Sequence, residues 1–421
     1  MGEQNIVEHA DESRRQDFMK ALLEEVRALE AMLDKGMVES GVSRIGAEQE
    51  MFLINNAHQP APTALEVLSE VDDDRFTHEL GLFNLEANLS VQEFRSDCLS
   101  RMEAEAQEVY AKARIAAQRC DSEIALVGIL PTLTMKNLGL DSMVPIPRYH
   151  ALNETFMGLR GQNLQFTING TDQLTVNHDN LMLEACNTSF QVHFQVSPED
   201  FSHLYNIAQV VTAPLLAAAV NSPLLLGKRL WHETRISVFE YSVDARSTTH
   251  QARGLKPRVH FGNHWVDHSV TEIFKEDIAR FRVLLTTETE DDPLAMVAQG
   301  IAPKLKALCL HNGTVYRWNR ACYGVHNGIP HLRIENRVIP SGPTVIDEIA
   351  NTAFFVGMMA GMSDKYEDIR EQITFQDVKA NFMAAARAGI RAQMNWFGDT
   401  HMPARELILN ELLPLILLCA R

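Results

Sequence analysis

Two glutamates, Glu48 and Glu50, stand two residues apart in the stretch "RIGAEQEMFLI". Ile45, Met51, Phe52 and Leu53 give that stretch the apolar, β-favouring character of a buried strand over 44–54. Residues i and i+2 of a strand share a face. Two carboxylates so placed repel, and burying them is costly unless positive charge compensates.

Three more stretches repeat the pattern. Asn84, Glu86 and Asn88 share a face, with Glu79 just before them. Gln191, His193 and Gln195 share a face, with Phe190, Val192, Phe194 and Val196 on the other. Arg333, Glu335 and Arg337 share a face in "RIENR". Carboxylate oxygens are hard ligands that suit Mg²⁺ or Mn²⁺, and a divalent cation would let Glu48 and Glu50 lie together. The arginines point to an anionic substrate, because guanidinium pairs bidentately with carboxylate or phosphate. Each feature alone has a plainer explanation: a solvated sheet face, a structural histidine, a surface ion-pair ladder. Repetition over four strands favours a site, and a sheet with this face turned inward makes a bowl.

The elements that must position these residues are legible as hydrophobic patterns. Phe18, Leu22, Val26 and Leu29 recur at helical spacing over 13–35. Met102, Ala106, Val109 and Ala113 do so over 97–120. Residues 82–95 read as one or two strands, "IALVGIL" (124–130) as a buried strand, and 188–197 and 331–344 as two more. Helices are expected over 199–220, 345–362 and 377–396. Strands and helices intermix without a break in composition. The chain therefore reads as an α+β catalytic domain over 41–362. A helical segment over 1–40 precedes it, and C-terminal helices over 363–421 pack on it.

The formal net charge is −17, which disfavours nucleic acid or an anionic membrane as a partner. Six cysteines are present, none spaced as C-x-x-C, which fits reduced thiols and a cytoplasmic location. The polar N-terminus shows no apolar signal region. The apolar runs "VVTAPLLAAAV" and "LLPLILL" are too short to span a bilayer. No phosphate-binding glycine loop, dinucleotide fingerprint, G-x-S-x-G elbow or H-E-x-x-H helix is present. A nucleotide would have to be held by metal and sheet.

Five segments in consistent order, "GAEQE" (46–50), "ELGLFNLEANL" (79–89), "TSFQVHFQV" (188–196), "NSPLLLGKR" (221–229) and "RIENRVIPSGPT" (333–344), resemble the glutamate–cysteine ligase type 2 family of the glutamine synthetase-like superfamily. The resemblance implies an antiparallel or mixed sheet forming a bowl-shaped active site with flanking helices. It implies ATP and Mg²⁺ (or Mn²⁺) as cofactors, and an amide bond made through an acyl phosphate, with glutamate as the carboxylate substrate. By position it implies Glu48, Glu50, Glu79, Glu86 and Glu335 as metal ligands. His193, with Gln191 and Gln195 beside it, would hold nucleotide, Arg235 would grip the substrate carboxylate, and Arg333 and Arg337 would face phosphate. The stretch "WHETRISVFEYSVDARS" (231–247) departs from the plant and common bacterial pattern where substrate choice is expected, so the amine stays open, cysteine included. A guanidino-kinase-like phosphotransferase and a non-catalytic nucleotide sensor remain alternatives, and a homodimer is an open option.

Overall fold

The 44–54 stretch is a strand, and it forms the middle of the molecule. In the computed structural model, residues 12–247, 249–250, 253–289 and 292–419 are described. Residues 1–11, the start of the expected N-terminal segment, lie outside them, as does the side chain of Cys419. The main sheet has eight strands: β1 (Arg44–Ile54), β2 (Phe76–His78), β3 (Asn84–Asn88), β4 (Gln92–Glu93), β5 (Glu123–Ala125), β6 (Phe190–Val196), β7 (Asn319–His326) and β8 (Ile329–Asn336). Their order is β7-β8-β6-β1-β3-β2, with β4 and β5 paired to the two ends of β1. Every pairing is antiparallel, and the sheet curls into a half-barrel.

Register decides which side chains meet. Glu48 lies opposite Asn88 on one side and Gln191 on the other, and Glu50 lies opposite Glu86. Glu335 lies opposite both His193 and Arg320. The alternate positions, Ile45, Ala47, Met51, Leu53, Leu85, Ala87, Phe190, Val192, Phe194, Leu332 and Ile334, are buried in one continuous core. The helices Cys98–Arg119, Phe201–Ala219, Val345–Lys365 and Phe375–Ala388 contribute to that core. Val345–Lys365 is long and apolar enough to cross a membrane by length and composition, but 56% of its apolar window is buried inside the molecule. The N-terminal helix Glu12–Asp34 adds Phe18, Leu22, Val26 and Leu29 to the same core.

Two expected elements differ. The helix read over 377–396 ends at Ala388, because Gly389 takes φ +55° and its N–H closes on the Ala385 carbonyl. Met394 and Trp396 alternate inward on the Gln393–Trp396 strand that follows, paired with Thr400–Pro403. The "IALVGIL" strand stops at Ala125. Beyond it the backbone turns to separate partners, with Thr188 N–H donating to the Gly128 carbonyl and Gly128 N–H to that of Asn221. A strand ladder would need those groups.

On the apolar side of the sheet, Gln49 Nε2 donates to Glu348 Oε2 at 2.6 Å and Gly342 N–H to Glu348 Oε1 at 2.8 Å. Burial pushes the Glu348 carboxyl up to about 8. A carboxyl with a raised folded pKa holds its proton more tightly folded than unfolded. Its contribution to stability is full below the ordinary value near 4.5 and is lost as pH rises through about 8. Glu348→Gln should therefore gain stability relative to wild type, by a few kcal/mol, as pH climbs through that window. Urea unfolding at a series of pH values measures it; a difference between the two proteins that does not change with pH would contradict the assignment.

Candidate active site

The concave face of the sheet opens into a cavity lined by Glu48, Glu50, Glu79, Glu86 and Glu184, by Arg148, Arg320 and Arg337, and by Gln191, Tyr149 and Tyr316. Five carboxyl groups face three guanidiniums there. Two groups of three side chains on this face bring possible metal-ligating atoms together. Donor atoms of Glu48, His193 and Glu335 lie within 4.8 Å of one another, and so do those of Glu50, Glu79 and Glu86.

The first trio sits among cations. His193 Nε2 is 3.1 Å from Glu48 Oε1, and His193 Nδ1 is 3.8 Å from Glu335 Oε2. Arg320 Nη2 donates to Glu335 Oε2 at 2.8 Å, and Arg337 Nη1 donates to Oε1. Burial pushes the Glu335 carboxyl up, but the two guanidiniums outweigh it and hold the group well below the usual carboxylate range.

The second trio has weaker compensation, from Arg337 acting on Glu50. Ser189 N–H and Gln191 Nε2 each donate to Glu50 at 2.6 Å, and Asn88 Nδ2 donates to Glu86 at 3.0 Å. Amides satisfy lone pairs but bring no charge. Burial raises Glu50 to about 7, and burial with the neighbouring Glu48 raises Glu86 to about 7. Glu79 is pushed well above its ordinary range by burial and by Glu86.

The donor sets fit divalent ions. Among the described residues, His193 Nδ1, Gln191 Oε1 and both polar atoms of the Asn84 amide are buried without a hydrogen-bond partner. Buried polar atoms of this kind call for an occupant. Three carboxylates form a hard oxygen set for Mg²⁺ or Mn²⁺, and a set with one imidazole suits Mn²⁺ as well.

The sheet brings Glu48, Glu50, Glu79, Glu86, Gln191, His193, Glu335 and Arg337 to one face or its rim. It does not bring three others into the cavity. Gln195 is taken up by Glu39 and Arg44, at 2.7 and 3.0 Å. Arg333, on the same face of β8, binds the ring of His331 at 2.8 Å. Arg235 is a correction: it is buried on the Arg235–Ser242 helix, with Nε 2.9 Å from Glu233 and Nη2 2.5 Å from the Val338 carbonyl. Its Nε and Nη2 are used internally, and it is not among the residues that line the cavity.

Sequence reasoning passed over Arg320, Glu184, Arg148 and Tyr149. Arg320 was accessible in principle, because "NRACYGVH" is a strand whose alternate residues Arg320 and Cys322 face the same way. Arg148 and Tyr149 open a helix, Pro147–Arg160, whose place over the sheet no local pattern reveals.

A half-barrel sheet with this charged face, on this chain, is that of a carboxylate–amine ligase. The chain belongs to glutamate–cysteine ligase family 2, whose model matches residues 44–416. The fold is similar to that of the glutamate–cysteine ligase of Francisella tularensis, solved in complex with AMP. The TM-score is 0.53 and the identity 12%, over 90% of this chain and 78% of that one. A bifunctional glutathione synthetase from Pasteurella multocida matches 90% of this chain and 43% of its own, at a TM-score of 0.44 and 10% identity. At such identities the likeness is one of fold. No curated protein sequence matches the chain.

Two tests follow from the geometry. Arg235→Ala would strand the buried Glu233 carboxyl and should cost about 3–5 kcal/mol in chemical denaturation. Native stability combined with a raised amino-acid KM would return Arg235 to the substrate. For the second trio, Glu86→Gln removes one of three crowded carboxyls, so without divalent ions it should melt no lower than wild type. Added Mn²⁺ should raise the Tm of wild type more than that of the variant; equal shifts would remove Glu86 from any cation site.

Proposed function

We propose that this chain joins a carboxylate to an amine at the expense of ATP, through an acyl phosphate, with the γ-carboxyl of glutamate as the carboxylate. One observation carries the reading: two carboxylate-rich trios lie on one sheet face, whose cavity three guanidiniums line. Cys322, the thiol against Glu335, is pushed up to about 11 by burial and so is not a thiolate at neutral pH. Phosphoryl transfer asks the protein mainly to position reactants and balance charge, which this inventory does.

Glu48, His193 and Glu335 would hold one divalent ion, and Glu50, Glu79 and Glu86 another. Bound there, such ions neutralise the triphosphate and the charge that grows on the transferred group. Arg320 and Arg337 fix the Glu335 carboxylate. Arg337 Nε, buried without a partner among the described residues, is left to donate to a phosphoryl oxygen. Arg148 has a buried Nη1 without a partner among the described residues and lines the cavity. We assign it the grip on the substrate carboxylate that Arg235 cannot supply. Five free thiols, Cys98, Cys120, Cys186, Cys309 and Cys322, support a reducing, cytoplasmic setting.

Oxygen transfer tests the reaction class. An acyl phosphate keeps one substrate oxygen as its bridge, and that oxygen leaves with phosphate when the amine attacks the acyl carbon. Glutamate carrying ¹⁸O in its γ-carboxyl should deliver one labelled oxygen per inorganic phosphate, read by mass spectrometry. Unlabelled phosphate would exclude the ligase chemistry, and a phosphorylated product without amide would favour a phosphotransferase.

A further inference from the structure

We infer that Glu184 forms the amine subsite and accepts the proton that the incoming ammonium must lose. This rests on the ligase reading and deepens it, naming where the second substrate sits. Glu184 begins the short turn Glu184–Cys186, just before β6. Its neighbours Leu183, Ala185 and Cys186 are all buried in a second hydrophobic cluster beneath the cavity. Glu184 alone of that turn reaches the cavity lining. The turn is fixed by Glu184 N–H to the Leu181 carbonyl and Asn187 N–H to the Glu184 carbonyl, so the carboxyl has little freedom to leave.

Three observations distinguish this carboxyl from the others. It belongs to neither trio. No hydrogen bond or ion pair reaches its side chain among the described residues, whereas Glu50, Glu86 and Glu335 are all engaged. Tyr149 and Tyr316 line the same cavity. A carboxylate in a cavity that also presents aromatic rings can receive an ammonium group, by charge and by cation–π attraction. Burial also raises Glu184 to about 7, opposed by Arg337, which suits a group that takes a proton at neutral pH.

The step balances as follows. The ammonium gives one proton to the Glu184 carboxylate and becomes an amine. Its lone pair forms the bond to the acyl carbon. The carbon–oxygen bond to phosphate breaks, and phosphate leaves with that electron pair. The second nitrogen proton departs with phosphate, giving the neutral amide and hydrogen phosphate.

Hydroxylamine separates proton removal from the rest, because its nitrogen is already unprotonated at neutral pH. Wild type and Glu184→Gln are compared with the amino acid, from a panel of the common ones, that wild type uses best, and with hydroxylamine. Amide formation should fall about 10²- to 10⁴-fold in kcat/KM in the variant, while hydroxamate formation changes little. Glu184→Asp, which keeps a carboxylate, should restore part of the amide rate and confirms that loss is not misfolding. Equal losses with both nucleophiles, or no loss with either, would overturn the assignment alone. A wild type that makes neither amide nor hydroxamate would overturn the ligase reading and this inference with it.

Discussion

The concave face of the sheet carries more buried carboxyl groups than its own cations can balance, and the rest of the molecule is arranged around that imbalance. A buried carboxylate without a partner is among the most expensive groups a fold can contain. Here two trios stand back to back across β1, because Glu48 and Glu50 are successive residues of one face. The sheet cannot relax by slipping. A shift of one residue would carry every glutamate into the apolar core and expose Phe190, Val192 and Ile334. Long antiparallel pairing and the helices behind it hold the charges in place against their own repulsion. Stability is supplied on one face so that function can strain the other.

The supporting shell follows the same division. On the cavity side the partners of Glu50 and Glu86 are amides and a backbone N–H group: Gln191, Asn88 and Ser189. They orient carboxylate oxygens without cancelling their charge, which leaves the charge available to a ligand. Away from the cavity, buried charges are closed off. Arg235 is spent on Glu233 and on the Val338 carbonyl, and Arg317 on Asp277 at 2.7 Å. An arginine that serves a wall and one that serves a substrate look alike in sequence.

That difference explains what could be foreseen. The four strands were legible because a period of two sorts polar from apolar residues, and the pattern repeats at Glu48–Glu50, Asn84–Asn88, Gln191–Gln195 and Arg333–Arg337. Pairing order and register were not in the pattern, so nothing local showed that Glu335 would meet His193 or that Gln195 and Arg333 would fall toward the rim with partners of their own. Arg235 was misassigned because Glu233, two residues earlier, reads as an ordinary helix-start acid and not as its buried mate. Glu184, Arg148 and Tyr149 come from a turn and a helix start, where no periodicity marks a side chain as functional. Gly389 cut short a helix whose apolar spacing alone would have carried it on.

The two trios are unequal, and the inequality has a direction. A cation approaching Glu48, His193 and Glu335 meets a carboxylate already gripped by Arg320 and Arg337, so part of the attraction is spent before it arrives. A cation approaching Glu50, Glu79 and Glu86 meets acids that hold protons only for want of a better partner. On the proposed reading it would have to displace those protons, which would tie binding there to pH. The guanidiniums of the first trio, meanwhile, are most useful toward an anion that arrives with its own cation, because they supply positive charge without demanding another metal. On the proposed ligase reading, a polyanion carrying a divalent ion is the ligand this distribution of charge would suit.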